Sequence, residues 1–128
     1  MKKRLFTNVL AITLVLSLFA SVAFADVTSN SKLEYVKEMV EETNAAIERD
    51  VATAQEIADK IIYIIGDNFI SRMSIKTIID VLEFETGLKA KAAINKAARL
   101  GVEVKCEIKV YMVGGQKAYI DPLFVISD

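Results

Sequence analysis

Asp80, Glu83 and Glu85 are the residues of this chain that come closest to a catalytic pattern. Paired carboxylates cleave glycosidic bonds by acting as general acid and as base or nucleophile. On a helix, carboxylates at this spacing more commonly form a solvated face. The chain has no histidine, so the commonest general base and the commonest zinc ligand are missing. We therefore expect no catalytic, cofactor or metal site, and an envelope hydrolase, or an inhibitor of one, is the alternative function.

Cys106 is the only cysteine in the sequence, and one cysteine cannot close a disulfide within its own chain. In the alternating stretch VEVKCEIKV it shares a strand face with Val104 and Ile108. We therefore expect a small buried apolar side chain. An intermolecular disulfide is the alternative, whereas a reactive thiol is disfavoured because no histidine is present to activate it.

Lys89, Lys96 and Arg99 form a candidate basic face, because spacings of seven and three residues place them on one side of a helix. Lys89 falls in the first turn of that predicted helix, where the helix dipole disfavours cations, and such a placement can mark an anion site. Ordinary solvation is the competing interpretation. We predict these three residues to bind a partner, either a protein or an anionic envelope polymer.

The first 25 residues have the three-part layout of a bacterial secretory signal. The charged start MKKR precedes an apolar run, and the sequence AFA ending at Ala25 offers small residues where a signal peptidase reads them. We predict cleavage between Ala25 and Asp26, which gives a secreted or periplasmic protein without a stable membrane span. An uncleaved N-terminal anchor is the alternative.

Residues 26–128 then form one predicted small domain. The leader holds three of the 16 basic residues and none of the 17 acidic ones, so 13 basic and 17 acidic residues remain and the net charge is −4. This mild acidity favours solubility and argues against a general polyanion binder. For the exported chain we expect no nucleic-acid partner.

One long and two shorter helices are predicted. Ser31 and Glu34 match a capping box, and an apolar seam continues from there to Gly66, which can end the helix. The last turns of this long amphipathic helix are apolar nearly all round and should lie deepest. A second helix is capped by Ser74 and broken at Thr86-Gly87, and a third covers residues 88–100.

After Gly101 the apolar period changes from the helical value to two, which indicates a half-buried strand over residues 102–112. Gly114-Gly115 predicts a two-residue hairpin turn, which pairs Val110 with Tyr119. A bulge is expected at Asp121-Pro122. The fold class is therefore α+β, with a C-terminal β-hairpin packed on the helices. Self-association through the long helix or the C-terminal strand is the alternative to burial within one chain.

The order of elements over residues 74–126 resembles a winged helix-turn-helix: a helix containing IIDVLEFE, a Thr-Gly turn, a basic helix and a glycine-tipped hairpin. The resemblance implies that Lys89, Lys91, Lys96 and Arg99 face the major groove of DNA and that the Gly114 hairpin is the wing. It applies if the N-terminus is not an export signal. With export, the sequence predicts a small non-catalytic binding or interaction protein of the bacterial cell envelope or extracellular space.

Overall fold

The computed structural model describes residues 29–126. Its elements in chain order are α1 (Ser29–Ile65), α2 (Phe69–Arg99), β1 (Val104–Cys106), β2 (Lys109–Val113), β3 (Gln116–Ile120) and β4 (Leu123–Val125). The predicted α+β class is confirmed. The predicted signal and its cleavage point between Ala25 and Asp26 lie outside the described residues. Neither of the two described helices is apolar enough over a sufficient length to cross a membrane.

Helix α1 follows the predicted seam over most of its length. It begins at Ser29, two residues before the predicted cap, and is followed by Gly66, whose φ of +90° and whose N–H bond to the Ile62 carbonyl at 2.7 Å close the helix. The buried seam positions are Val36, Val40, Thr43, Ile47, Val51, Ala54 and Ala58. The expectation that the last turns lie deepest is wrong, because Tyr63, Ile64 and Ile65 are exposed.

Helix α2 replaces the two shorter helices with one continuous helix. Ser74 does not cap it: Asn68 does, because its side chain accepts from the Ser71 N–H at 3.1 Å while the Ser71 hydroxyl accepts from the Asn68 N–H at 2.9 Å. The predicted break at Thr86-Gly87 is absent, since the Thr86 hydroxyl donates to the Leu82 carbonyl at 2.8 Å within the helix. A helix-turn-helix needs that break, so the fold implied by the winged-helix resemblance is also wrong.

Gly87 offers a direct test of this continuous helix. Its φ is not positive, and an added Cβ would meet nothing within 4 Å. We expect Gly87→Ala to stabilise the protein by about 0.5–1 kcal/mol, because alanine loses less backbone freedom in a helix. Urea unfolding measures the change. Gly101→Ala is the matched control: its site is equally open but has a φ of +76°, so this change should be destabilising. A destabilising Gly87→Ala would indicate a turn.

The strands form two antiparallel pairs, β1 with β4 and β2 with β3. The predicted hairpin is confirmed, because Gly114 and Gly115 have φ values of +55° and +80° and Val110 pairs with Tyr119. At Asp121-Pro122, where a bulge is expected within one strand, the chain instead passes from β3 to β4, which pairs with β1, and the β2–β3 ladder ends at the pair of Lys109 and Ile120.

The predicted single strand over residues 102–112 is wrong, because the chain breaks between β1 and β2. At the break the Glu107 N–H donates to the Pro122 carbonyl at 3.1 Å. Side chains alternate between the two faces of a strand, so one unbroken strand would bury only even-numbered or only odd-numbered residues. Because of the break, β1 buries the even-numbered Val104, whereas β2 buries the odd-numbered Val113. The intervening residues predicted to share the buried face are exposed instead: Cys106, Ile108, Val110 and Met112.

The core of the described residues has two apolar clusters along the helix pair. One joins the middle of α1 and the first half of α2 to the β2–β3 hairpin, through residues such as Ile47, Ile75 and Ile120. The other joins the start of α1 and the end of α2 to β1 and β4. Thr86 and Lys89 lie between the clusters along α2. The strands thus pack against both helices. The helix faces that remain open are those that the strands do not cover.

Candidate functional site

The structure places the three residues of the predicted basic face in different environments. Lys89 is not on the surface: its side chain is 3% exposed and forms an ion pair with Asp50 of α1. Its position on α2 belongs to the same buried face as Thr86 and Ala90. Lys89 is therefore withdrawn as a partner-binding residue.

Lys96 and Arg99 remain near the surface, Lys96 half-buried and Arg99 exposed. Burial, and secondly repulsion by Arg99, lowers the pKa of Lys96. The two cations therefore lie close to each other, as the spacing predicted. Two cations on a net acidic chain make a weak electrostatic surface, so they do not define a strong anion site.

Of the three carboxylates considered for catalysis, Asp80, Glu83 and Glu85, one is exposed and two are half-buried. Asp80 is exposed, whereas Glu83 is half-buried and its Oε2 accepts a hydrogen bond from the Tyr119 N–H at 2.8 Å. Glu83 thus ties β3 to α2. Within residues 29–126 no group of three or more histidine, cysteine or acidic side chains is placed to hold a metal ion. Paired-carboxylate chemistry, which the sequence offers only as the alternative to a solvated face, gains no support from this geometry.

Cys106 is exposed, which corrects the expectation that it is buried. Cys106 is the last residue of β1 and pairs with Leu123, and the apolar cluster over that strand includes Val104 but not Cys106. An intermolecular disulfide at this position stays a prediction.

An apolar stripe on the outer side of α2 is the feature that the sequence reasoning missed. Neighbouring members of the stripe are three, four or eight residues apart, so they lie on one side of the helix. This side is opposite the buried face that contains Ile75, Ile79 and Leu82. The members of this α2 stripe are Ile70, Met73, Val81, Phe84 and Leu88, and all five are exposed. The repeat is visible in the sequence, but dividing the segment into two helices hides it.

Two further apolar surfaces accompany the α2 stripe. The helical tip, where α1 ends and α2 begins, exposes Tyr63, Ile64, Ile65 and Phe69. The sheet face, which is the outer side of the β2–β3 hairpin and the residue before it, exposes Ile108, Val110, Met112 and Tyr119. The exposed fraction reaches 91% at Tyr63 and 74% at Phe69, so these are side chains in open solvent.

The outer side of α1 is different, because it carries the solvated face that its sequence predicts. Its exposed charged residues are Glu34, Lys37, Glu38, Glu41, Glu42, Glu48, Arg49, Glu56, Asp59 and Lys60. Exposed apolar side chains are therefore concentrated on particular surfaces. Contiguous apolar patches of this kind mark places where proteins contact other molecules.

These surfaces provide the described residues with a means of binding through apolar contact. Comparison of the chain with protein-family models, with curated proteins and with solved structures gives no match.

Proposed function

We propose that this chain is a small, non-catalytic interaction protein that acts in the cell envelope or extracellular space. The observation that carries the proposal is the concentration of exposed apolar side chains on the α2 stripe, the helical tip and the sheet face. Burying apolar surface stabilises a complex by about 25 cal/mol per Å² before the costs of association. Such surfaces favour binding over remaining in water.

The chemistry of these surfaces favours a protein partner over an anionic polymer. An anionic polymer is held by a row of cations, and of the predicted basic face only Lys96 and Arg99 remain near the surface. The hot spots of protein interfaces are large side chains in desolvated pockets. Phe69, Phe84 and Tyr119 are exposed side chains of that size.

The proposed location depends on the first 25 residues, which have a charged start, an apolar run and a small-residue cleavage sequence. Mass spectrometry of the protein purified from cells tests it. We expect a mature N-terminus at Asp26, and a chain that retains Met1 would contradict export with cleavage.

Partner capture by surface variants tests the proposed interaction. The protein is immobilised and exposed to the extracellular or periplasmic fraction of its own cells. Phe69→Glu on the helical tip and Ile108→Glu on the sheet face each place a charge in an apolar surface. We expect at least one of them to weaken capture of a specific partner by about 30-fold or more, the effect of losing an interface hot spot.

Lys37→Glu is the matched control, since Lys37 is exposed on the charged side of α1. It adds the same side chain outside the apolar surfaces and should leave capture unchanged. Equal capture by the wild type, the two surface variants and the control would contradict the proposed function. Circular dichroism of each variant verifies that its fold is intact.

A further inference from the structure

We infer that the α2 stripe is a self-association surface, on which a second copy of this chain packs its own α2 in the antiparallel direction. This inference rests on the proposed function, because it assigns an occupant to one of the three apolar surfaces. It differs from the self-association considered from the sequence, which used the long helix α1 or the C-terminal strand. The α1 surface is charged and β4 is already paired with β1.

The stripe has the geometry of a helix-pairing seam. From Ile70 to Leu88 it extends for about 27 Å at 1.5 Å per residue. With Thr77 included, successive members are three, four, four, three and four residues apart, which keeps them on one side of the helix. None of the described strands covers it, since β3 lies along a different side of α2, where the Arg72 carbonyl accepts a hydrogen bond from the Gln116 side chain and the Glu83 carboxylate accepts one from the Tyr119 N–H.

The charges beside the stripe match an antiparallel copy of themselves. Lys76 and Asp80 are exposed and lie one helical turn apart on the same flank of the stripe. In an antiparallel pair with its two-fold axis between Ile78 and Ile79, Lys76 of each copy lies within one residue of the position opposite Asp80 of the other. The same axis places Met73 opposite Phe84, and Ile70 opposite Leu88 to within one residue. In a parallel pair each charge would face its own copy, which is destabilising.

The same charges make other occupants less suitable. A two-fold interface uses one patch on both partners, so the patch must be complementary to itself. The stripe meets that condition in both its apolar ends and its flanking charges. Anionic lipid surfaces recruit helices whose polar flank is basic. Here Asp80 balances Lys76 on that flank, which is therefore not basic, so a membrane surface is disfavoured.

Light scattering of the protein purified from cells tests the self-association. We expect the wild type to be a dimer and Phe84→Glu to raise the dimer dissociation constant by about 30-fold or more, because a charge would enter the centre of the seam. Val81→Glu should act in the same way. Lys37→Glu is the matched control, because Lys37 is exposed on the charged side of α1, outside the apolar surfaces, and it should leave the dimer intact.

Cysteine cross-linking tests the antiparallel direction, in a Cys106→Ser background that removes the native thiol. Asp80→Cys lies next to the proposed axis, so two copies should form a disulfide under mild oxidation. Met73→Cys should not, because the two copies of residue 73 would be about 16 Å apart along the helices, at 1.5 Å per residue. Linking of both variants would indicate a parallel pair and overturn the proposed arrangement.

A wild type that stays monomeric at its highest soluble concentration would overturn the self-association, as would an unchanged dimer in both Phe84→Glu and Val81→Glu. Neither result decides the proposed function, because partner capture is measured separately, with variants of the helical tip and the sheet face. Conversely, a dimer that captures no partner in a surface-dependent way would uphold the inference about α2 and remove the broader interaction role.

Discussion

Replacing Asp50 with alanine is expected to destabilise the fold by about 3–5 kcal/mol, because it leaves the Lys89 ammonium buried without its counter-charge. Both side chains of this ion pair are nearly inaccessible, 4% exposed for Asp50 and 3% for Lys89. An isolated charge in such a place is costly, whereas an exposed pair contributes little. Chemical unfolding with urea measures the loss.

Two controls separate the buried pair from a general effect of removing a carboxylate. Glu48→Ala removes an exposed carboxylate from the same helix and should change the free energy of unfolding by less than about 0.5 kcal/mol. The double variant Asp50→Leu with Lys89→Met replaces the pair with apolar side chains. It should recover the loss and reach stability near or above the wild type. An Asp50→Ala protein as stable as Glu48→Ala would contradict a buried pair.

The surroundings of the pair explain why the double variant is expected to be at least about as stable as the wild type. Asp50 Oδ2 is bound by Lys89, but Asp50 Oδ1 is buried without a hydrogen-bond partner among the described residues. A partly satisfied buried polar network stabilises less than an apolar core of the same volume. The pair therefore matters most when only one of its members is removed.

Local signals in the sequence were sufficient for the parts of the fold that depend on neighbouring residues. The apolar seam of α1, its end at Gly66 and the Gly114-Gly115 turn are all set by spacing or by backbone freedom within a few residues. The register that pairs Val110 with Tyr119 then follows from the turn alone. These features could be predicted because no distant contact competes with them.

The predictions that failed depended on contacts with distant parts of the chain. A Thr-Gly pair weakens a helix by only about 1 kcal/mol, which the buried face around Thr86 overcomes. The burial of Lys89 depends on Asp50, which is 39 residues away. The break after β1 depends on its pairing with β4. In each case tertiary contacts outweighed a weak local preference.

The candidate surface was hidden for a related reason. Apolar residues occur on opposite sides of α2, so sequence alone does not say which side is buried within the chain. The packing of α1 and β3 against Ile75 and Ile79 settles this and leaves Phe84 and Leu88 exposed. A surface of this kind is recognised only after the core has been assigned.

Gly114→Ala is expected to destabilise the protein by about 2–4 kcal/mol, well beyond the cost of its backbone conformation. An added Cβ would lie 2.6 Å from the Ile75 Cδ1 atom and 3.0 Å from the Ala58 Cβ atom. Ile75 and Ala58 are fully buried and belong to the core under the hairpin, so neither can move aside freely. The added methyl group must therefore push the turn away from the helices.

Gly115→Ala is the matched control, because Gly115 occupies the same turn with a φ of +80° but has nothing within 4 Å of an added Cβ. It should cost only about 1–2 kcal/mol, the penalty for a left-handed conformation. Urea unfolding of both variants separates backbone strain from overpacking. Adding Ile75→Val to Gly114→Ala removes the atom closest to the new methyl group and should recover part of the loss. Equal losses for the two glycines would show that the turn is not packed against the helices.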